Sequence, residues 1–321
     1  MASVATLEVI SPGLLTTVQD GGRWGYGKFG VPPSGALDPF SLRVGNLLVG
    51  NQEGEAALEI TLMGPEFLAL EDVVIALTGA DLQPLLNGDP LRMWTAHRIK
   101  KGDVIAFKGL RGGCRAYLAI GGGIDLPSIM GSKSTNLLAR FGGIDGRPLK
   151  RGDVIHSRSP HLYLKMAGRS FPRGHIPSYP GEALLRVIFG PQGDEFPQEA
   201  RERLLTSPYK VSAHSDRTGI RLKGPPLHRK EGVAESIISE GVVPGAIQVP
   251  GDAHPIILLR ETVTGGYRKI ATVITADLPL AGQLKPGDTV RFQEASLEEA
   301  HRALREMEAM IRGVDIGGRI R

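Results

Sequence analysis

The chain has 321 residues, enough for two domains of ordinary size. Its 41% hydrophobic and 22% charged residues describe a globular protein, not a disordered one, and 43 glycines, 23 prolines and only 5% aromatics point to many turns, little helix and a mainly β fold. The formal net charge of +4 is scattered among acids, as at Arg98, Lys100, Lys101 and Asp103, with no basic run interleaved with aromatics, so no nucleic-acid partner is expected.

Short β-like runs bounded by Gly, Pro, Asn or Asp follow one another along the chain: 7–10, 57–62, 73–77, 104–107, 115–120, 184–189, 246–249, 256–259 and 269–275. Helices are few. Asp38-Pro39 caps a helix over 40–49 with Gly50 as its stop. A second helix is expected over 197–205. Ser296-Leu297-Glu298-Glu299 is a capping box, and Leu297, Ala300, Leu304, Met307 and Ile311 then share one face up to Gly313. That amphipathic helix either packs on its own domain or docks a partner.

Three turns share one form: Lys101-Gly102-Asp103, Arg151-Gly152-Asp153 and Pro286-Gly287-Asp288, each feeding a strand. Ile60-Thr61-Leu62-Met63-Gly64-Pro65 resembles Ile220-Arg221-Leu222-Lys223-Gly224-Pro225, and Leu149-Lys150-Arg151-Gly152-Asp153 resembles Leu284-Lys285-Pro286-Gly287-Asp288, which suggests a duplicated unit. The organisation expected is a β-barrel domain over 1–165, a linker over 166–182 within a Ser-, Pro-, Arg- and Gly-rich stretch, a second β-barrel domain over 183–296, and a C-terminal helix and tail over 297–321.

The one cysteine, Cys114, lies in an apparent strand and reads as a buried thiol, which suits a reducing compartment. No Lys or Arg precedes Arg23, no long apolar run follows the start, and no run approaches the ~20 residues that cross a bilayer. A cytoplasmic protein with no membrane association is therefore expected.

Several chemistries lack their motif. There is no G-x-x-x-x-G-K-[ST] loop, no G-x-G-x-x-G opening a helix, no G-x-S-x-G elbow, no H-E-x-x-H and no Cys-His cluster, so no metal site is expected. Three polar, glycine-rich stretches remain. The first runs from Thr16 to Asp38 and holds Gln19, Asp20, Arg23, Ser34 and Asp38; it reads as a ligand loop or as a turn-rich strand junction. The second joins Gly121-Gly122-Gly123 to Ser132-Lys133-Ser134 and reads as an anion-binding backbone or as a plain hairpin end. The third gathers Asp216-Arg217, Glu240, Gln248, Gly265-Gly266-Tyr267 and Lys269 beside predicted strand ends. There Arg217 and Lys269 are candidates to clamp an oxyanion or phosphate and Glu240 to transfer protons, or each is a surface ion pair.

These same stretches resemble one family. Thr16-Thr17-Val18-Gln19-Asp20, Ser34-Gly35-Ala36-Leu37-Asp38, Gly121-Gly122-Gly123-Ile124-Asp125, Gly131-Ser132-Lys133-Ser134-Thr135, Gly190-Pro191-Gln192, Ser215-Asp216-Arg217, Ser239-Glu240-Gly241, Gly245-Ala246-Ile247-Gln248-Val249-Pro250 and Thr264-Gly265-Gly266-Tyr267 look like the family that joins the C-subunit of 5-oxoprolinase to biotin-dependent carboxyltransferases. The match covers roughly residues 7–296. Members include allophanate hydrolase subunit 2 and an antagonist of a sporulation-kinase inhibitor. The resemblance implies two cyclophilin-like β-barrel domains with few helices. It also implies partners resembling the A- and B-subunits of 5-oxoprolinase, and ATP-dependent opening of 5-oxoproline, a small cyclic amide, to glutamate. ATP, with any Mg carried by the nucleotide, is the implied cofactor.

Two rivals stand beside it: a carboxyltransferase component acting on urea or another small amide with biotin on a partner, and a non-enzymatic antagonist of a kinase inhibitor. No Ala-Met-Lys-Met site for covalent biotin is present; Glu308-Ala309-Met310-Ile311 lacks the lysine. The chain departs from the family at Arg260-Glu261-Thr262-Val263, where the charge order is reversed, and at Thr218 and Ile220. Asp20, Arg217, Glu240 and Lys269 are the catalytic candidates. Gln19, Arg23, Ser34, Asp38, Gly122, Gly123, Ser132, Ser134, Asp216, Gln248, Gly265, Gly266 and Tyr267 are the binding candidates, and the main candidates of both halves are expected to line one cleft.

Overall fold

The computed structural model describes residues 2–315 and 319–320. It divides into two compact units. The first comprises Met1–Arg23, Ser34–Ser178 and Ala309–Arg321; the second comprises Trp24–Pro33 and Tyr179–Glu308.

In the first unit the chain runs β1 (Ser3–Ser11), β2 (Leu15–Gln19), α1 (Pro39–Val49), β3 (Ala57–Thr61), β4 (Glu66–Ala69), β5 (Val73–Asp81), β6 (Pro84–Leu86), β7 (Asp89–Pro90), β8 (Ala96–Ile99), β9 (Val104–Phe107), β10 (Gly112–Ile120) and β11 (Val154–Arg158). These strands form two sheets, ordered β11-β1-β4-β9-β6-β7 and β2-β3-β10-β5-β8. Both sheets feed one core, with Leu7, Val9, Phe67 and Ile105 from the first and Leu58, Ile60, Leu77 and Leu118 from the second. The middle strand β10 is paired on both sides and almost wholly buried, Cys114 included.

Helix α1 starts and stops where its sequence demands. Asp38 Oδ1 accepts from Ser41 N at 2.9 Å, Pro39 occupies the first turn, and Gly50 closes the helix in the left-handed conformation at φ 84°. Residues of the expected linker pack on this unit. Phe171 stacks within 5.8 Å of Phe40 and 5.6 Å of Trp94, and its N–H donates to Trp94 O.

The second unit continues with β12 (Glu182–Phe189), α2 (Gln198–Thr206), β13 (Tyr209–Val211), β14 (Gly219–Lys223), β15 (Ser236–Gly241), β16 (Ala246–Val249), β17 (Ile256–Leu258), β18 (Thr264–Val273), α3 (Leu278–Ala281), β19 (Thr289–Glu294) and, up to Glu308, most of α4 (Leu297–Gly313). Seven of the strands close on themselves in the order β12-β19-β13-β14-β17-β16-β18, with β18 pairing back to β12. Closure removes the free edges that an open sheet would expose. Strand β15 adds only to the start of β18, as an exposed ribbon outside the barrel.

The repeated turns have one geometry. Asp103, Asp153 and Asp288 each accept from the N–H three residues earlier, at 2.7, 2.8 and 3.1 Å, and Gly102, Gly152 and Gly287 all have positive φ. The repeated Gly-Pro pairs also share a reason. A Cβ at Gly64 would sit 2.2 Å from the Phe107 ring, and one at Gly224 2.6 Å from the Tyr209 ring. Each glycine lets an aromatic ring cover the chain.

Helix α4 carries the expected capping box, with Glu299 N donating to Ser296 Oγ and Ser296 N donating to Glu299 Oε2. Its Ala300 and Ala303 pack on Ile188, Ile274 and Ala295 of its own unit. That settles its inner face as a core contact.

Candidate functional site

In the first unit a buried knot forms around Asp20, at the end of β2. Its carboxylate accepts from Ser134 Oγ at 2.5 Å, Ser132 Oγ at 2.6 Å, Lys133 N at 2.6 Å and Gly22 N at 2.8 Å. These four donors tie the Gln19–Arg23 turn to the 132–134 turn. Gln19 extends the knot: its amide donates to Thr135 O and Thr17 Oγ1 and accepts from Gly35 N. Arg23 is buried, with its guanidinium 4.6 Å over the Phe141 ring and donating to Ser134 O at 2.7 Å. Ser34 sits at φ 50° and its hydroxyl accepts from Asn136 Nδ2. Thus Gln19, Asp20, Arg23, Ser34, Ser132 and Ser134 come together.

Their arrangement is that of a framework. The Asp20 carboxylate is engaged by four of the chain's own donors, three on Oδ1 and one on Oδ2, which makes it a link between two turns. Asp38 is the α1 cap and also accepts from Ser41 Oγ at 2.6 Å.

The triple glycine is engaged in the same way. Gly121 N donates to Val74 O, Gly122 N to Asn51 Oδ1 and Gly123 N to Ile120 O. A Cβ on Gly122 would lie 2.1 Å from Arg158 O and one on Gly123 2.5 Å from Glu55 Cγ. The glycines are needed because backbone and side chain pass close by. The expectation of an anion cradle at Gly122 and Gly123 is corrected by these bonds, since the donors that would face an anion serve the fold. Lys133 is likewise committed, to Glu55 Oε1 at 2.6 Å and Ile124 O at 2.8 Å.

A second buried network in this unit was not among the sequence candidates. Tyr117 of β10 donates to Glu59 Oε2 of β3 at 2.8 Å and accepts from Asp38 N at 2.8 Å, while Leu37 N donates to the same Glu59 oxygen. Burial, with Glu59 and Asp38 adding to it, pushes the Tyr117 hydroxyl well above its usual range, so it stays protonated and donates. The signal was an acid in the middle of the apolar run 57–62.

In the second unit the candidates form two groups. Lys269, on β18, pairs with Glu240, on β15, and Glu240 Oε1 also accepts from Gln192 Nε2 at 2.8 Å. Gln192 Oε1 in turn accepts from Lys269 N at 3.0 Å. The Lys269 side chain is 5% exposed and that of Glu240 44%, so a buried lysine is covered by an acid at the solvent rim. The hydrogen bonds from Lys269 and then Gln192 hold the Glu240 carboxyl below the ordinary carboxylate range. A carboxylate so stabilised is a weak base, which favours a charge-holding role over the proton transfer expected of it.

Gln248 lies across from Lys269 in the β16–β18 ladder and donates to Tyr267 O at 3.4 Å. Gly265 lets the Gln248 amide lie close, since a Cβ there would meet Gln248 Nε2 at 2.1 Å and push that side chain aside. Gly266 backs onto Ile237 O and Ser239 Oγ, and the Tyr267 side chain is exposed. Lys269, Glu240, Gln248, Gly265, Gly266 and Tyr267 therefore share the β15–β16–β18 surface. Gln192 completes it. Sequence reasoning missed it as a site residue, although it closes the Gly190-Pro191-Gln192 motif.

The other group is the Asp216–Arg217 turn. Asp216 Oδ1 accepts from Thr218 N at 2.7 Å and Gly219 N at 3.2 Å, which shapes the turn. Arg217 is buried and donates to Glu261 Oε1 through Nε at 3.3 Å and Nη2 at 3.2 Å. Thr262 Oγ1 donates to Thr218 O, and the Arg260 guanidinium lies 5.4 Å over the Trp24 ring. The reversed run Arg260-Glu261-Thr262 thus holds this turn, and its acid neutralises the arginine expected to clamp an oxyanion.

The carboxyltransferase domain, subdomains A and B, matches residues 29–294. The chain belongs to this carboxyltransferase family. It is 39% identical over 307 residues to the C-subunit of 5-oxoprolinase from Escherichia coli strain K12, covering 94% of this chain and 95% of that one. It is 38% identical over 328 residues to urea amidolyase of Lachancea kluyveri, covering 97% of this chain but 18% of that protein. The crystal structure of Kluyveromyces lactis urea carboxylase superposes with a TM-score of 0.92 at 34% identity, over 99% of this chain and 30% of that one. The mainly β architecture and the closed barrel are those of this family's carboxyltransferase domains. Among the described residues, no helix is long and apolar enough to cross a membrane.

Proposed function

We propose that this carboxyltransferase-family chain is one component of an ATP-dependent 5-oxoprolinase that opens 5-oxoproline to glutamate, working with partners that resemble the A- and B-subunits of that enzyme. The observation that carries this reading is the end-to-end correspondence with a 5-oxoprolinase C-subunit, 94% of one chain against 95% of the other. Opening a lactam breaks its C–N bond, with the ring nitrogen leaving as an amine. Phosphorylation of the carbonyl oxygen activates the carbon for attack by water, the resulting acyl phosphate is then hydrolysed, and the negative charge that develops must be stabilised. The Lys269–Glu240–Gln192 cluster suits that last task. A substrate carboxylate or oxyanion that displaces the exposed Glu240 would meet a buried ammonium already fixed on β18.

The glycine-rich 121–134 stretch, read as an anion-binding backbone or a plain hairpin end, offers a nucleotide no free donors of the kind expected. The Gly121–Gly123 donors and the Ser132, Lys133 and Ser134 side chains are bonded within the chain, so no step is derived through a nucleotide at that loop.

Lys269→Met in the assembled complex tests the site. Loss of a preorganised charged donor lowers kcat by roughly 10²-fold or more. The exposed Glu240 stays solvated, so the unfolding midpoint changes little. Unchanged glutamate release would remove Lys269 from the site. The second reading, a carboxyltransferase working with a biotinylated partner, is favoured by the TM-score of 0.92 to urea carboxylase. Dependence on bicarbonate and inhibition by avidin would select it.

A further inference from the structure

The outer face of the second unit's barrel carries positive charge that the fold leaves unbalanced. An open cleft of about 490 Å³ is lined by Ser212, His214, Arg221, Lys223, Asp252 and His254. Strand β14 alternates, with Ile220 and Leu222 facing the core and Arg221 and Lys223 facing out. The turn after β13 is pinned by Ser212 N donating to Arg221 O at 2.8 Å and by His214 N donating to Ser212 Oγ at 3.3 Å. Just before β17, Asp252 Oδ1 accepts from His254 N, at 3.1 Å. His254 Nδ1 is buried with no hydrogen-bond partner among the described residues.

The strand register adds a second, independent observation. Lys210 of β13 stands directly opposite Lys223 of β14. Like charges facing each other across a ladder weaken it. Among the described residues, none of Lys210, Arg221 and Lys223 has a carboxylate within the 4.0 Å of an ion pair. An arginine, a lysine whose ladder partner is a second lysine, two imidazoles and a hydroxyl therefore line the cleft with one acid among them.

We propose that this cleft binds a phosphoryl group, carried by free phosphate or by a nucleotide. An arginine fork, an ammonium, imidazole N–H groups and a hydroxyl match a tetrahedral oxyanion. The volume exceeds that of phosphate alone and falls in the range of small-molecule sites. The site does not depend on the 5-oxoprolinase reading, because binding is measured on this chain by itself.

The test is calorimetric titration of the full chain with inorganic phosphate, then ADP and ATP, at an ionic strength fixed with potassium chloride. Saturable binding is expected, and Arg221→Gln with Lys223→Gln weakens it about tenfold or more, while Lys101→Gln on the first unit leaves it unchanged. Both altered side chains are exposed, and Lys223→Gln relieves the Lys210 repulsion, so the unfolding midpoint of the double variant does not fall. ATP or ADP displacing phosphate makes a nucleotide the source; phosphate held without competition makes free phosphate the source. Flat titrations with all three probes, or equal binding by wild type and the double variant, overturn the proposal.

Discussion

Asp20 has the chemistry of a catalytic acid and the surroundings of a rivet. Two hydroxyls and two backbone N–H groups reach its carboxylate, from turns more than a hundred residues apart. Asp20→Ala would leave two buried hydroxyls and two part-buried N–H groups without their acceptor, at a cost of about 3 kcal/mol in denaturant unfolding. Its effect on any activity should then follow the loss of folded protein. A variant as stable as wild type would return Asp20 to the list of catalytic groups. Glu240 is the opposite case, exposed and held by a buried cation. Its folded-state pKa lies below the ordinary 4.5, through Lys269 first and Gln192 second. The pair therefore stabilises the fold above the unfolded-state value, and that contribution is lost as the pH falls through the lowered one. Carboxyl NMR titration should find Glu240 below 4.5, and Lys269→Met should bring it back up toward that value. A Glu240 that titrates normally in wild type would show the pair to be open in solution.

At the scale of elements, what could be read from the chain was local. The Asp38 cap, the Ser296 capping box and the three Gly-Asp turns act over four residues, and each has the hydrogen bonds its residue types demand. The capping box is open to test. Ser296→Ala should cost about 1 kcal/mol in unfolding free energy, because α4 loses a bond at Glu299 N while its Ala300 and Ala303 remain packed. A change near zero would mean that packing alone holds the helix. Closure of the barrel was not legible, since β12 must find β18 some eighty residues on. Nor was the use of the glycines. Gly121-Gly122-Gly123 is a flexible, donor-rich run on paper, but only the fold shows Arg158 O and Glu55 against it. Arg217 and Glu261 show the same limit: 44 residues separate the members of one ion pair, so the arginine reads as available when its charge is already matched.

At the scale of the whole molecule, the family was legible because its motifs lie at strand ends and turns, in order, along nearly the full length. The grouping of the candidate site residues was legible in part. The β15–β16–β18 surface gathers Lys269, Glu240, Gln248 and the Gly265–Gly266 backbone, while Gln19, Asp20, Arg23, Ser34, Asp38 and the 121–134 stretch turn out to be built into the first unit's framework. The chain matches 95% of a 5-oxoprolinase C-subunit but 18% of a urea amidolyase, and on that contrast the proposed activity rests. The most direct measurement is ATP-dependent glutamate release from 5-oxoproline by this chain alone and by this chain mixed with its partner subunits. The account predicts turnover only in the mixture, and turnover that is independent of bicarbonate and insensitive to avidin. No turnover in a well-folded mixture, or turnover that requires a biotinylated protein, would contradict it.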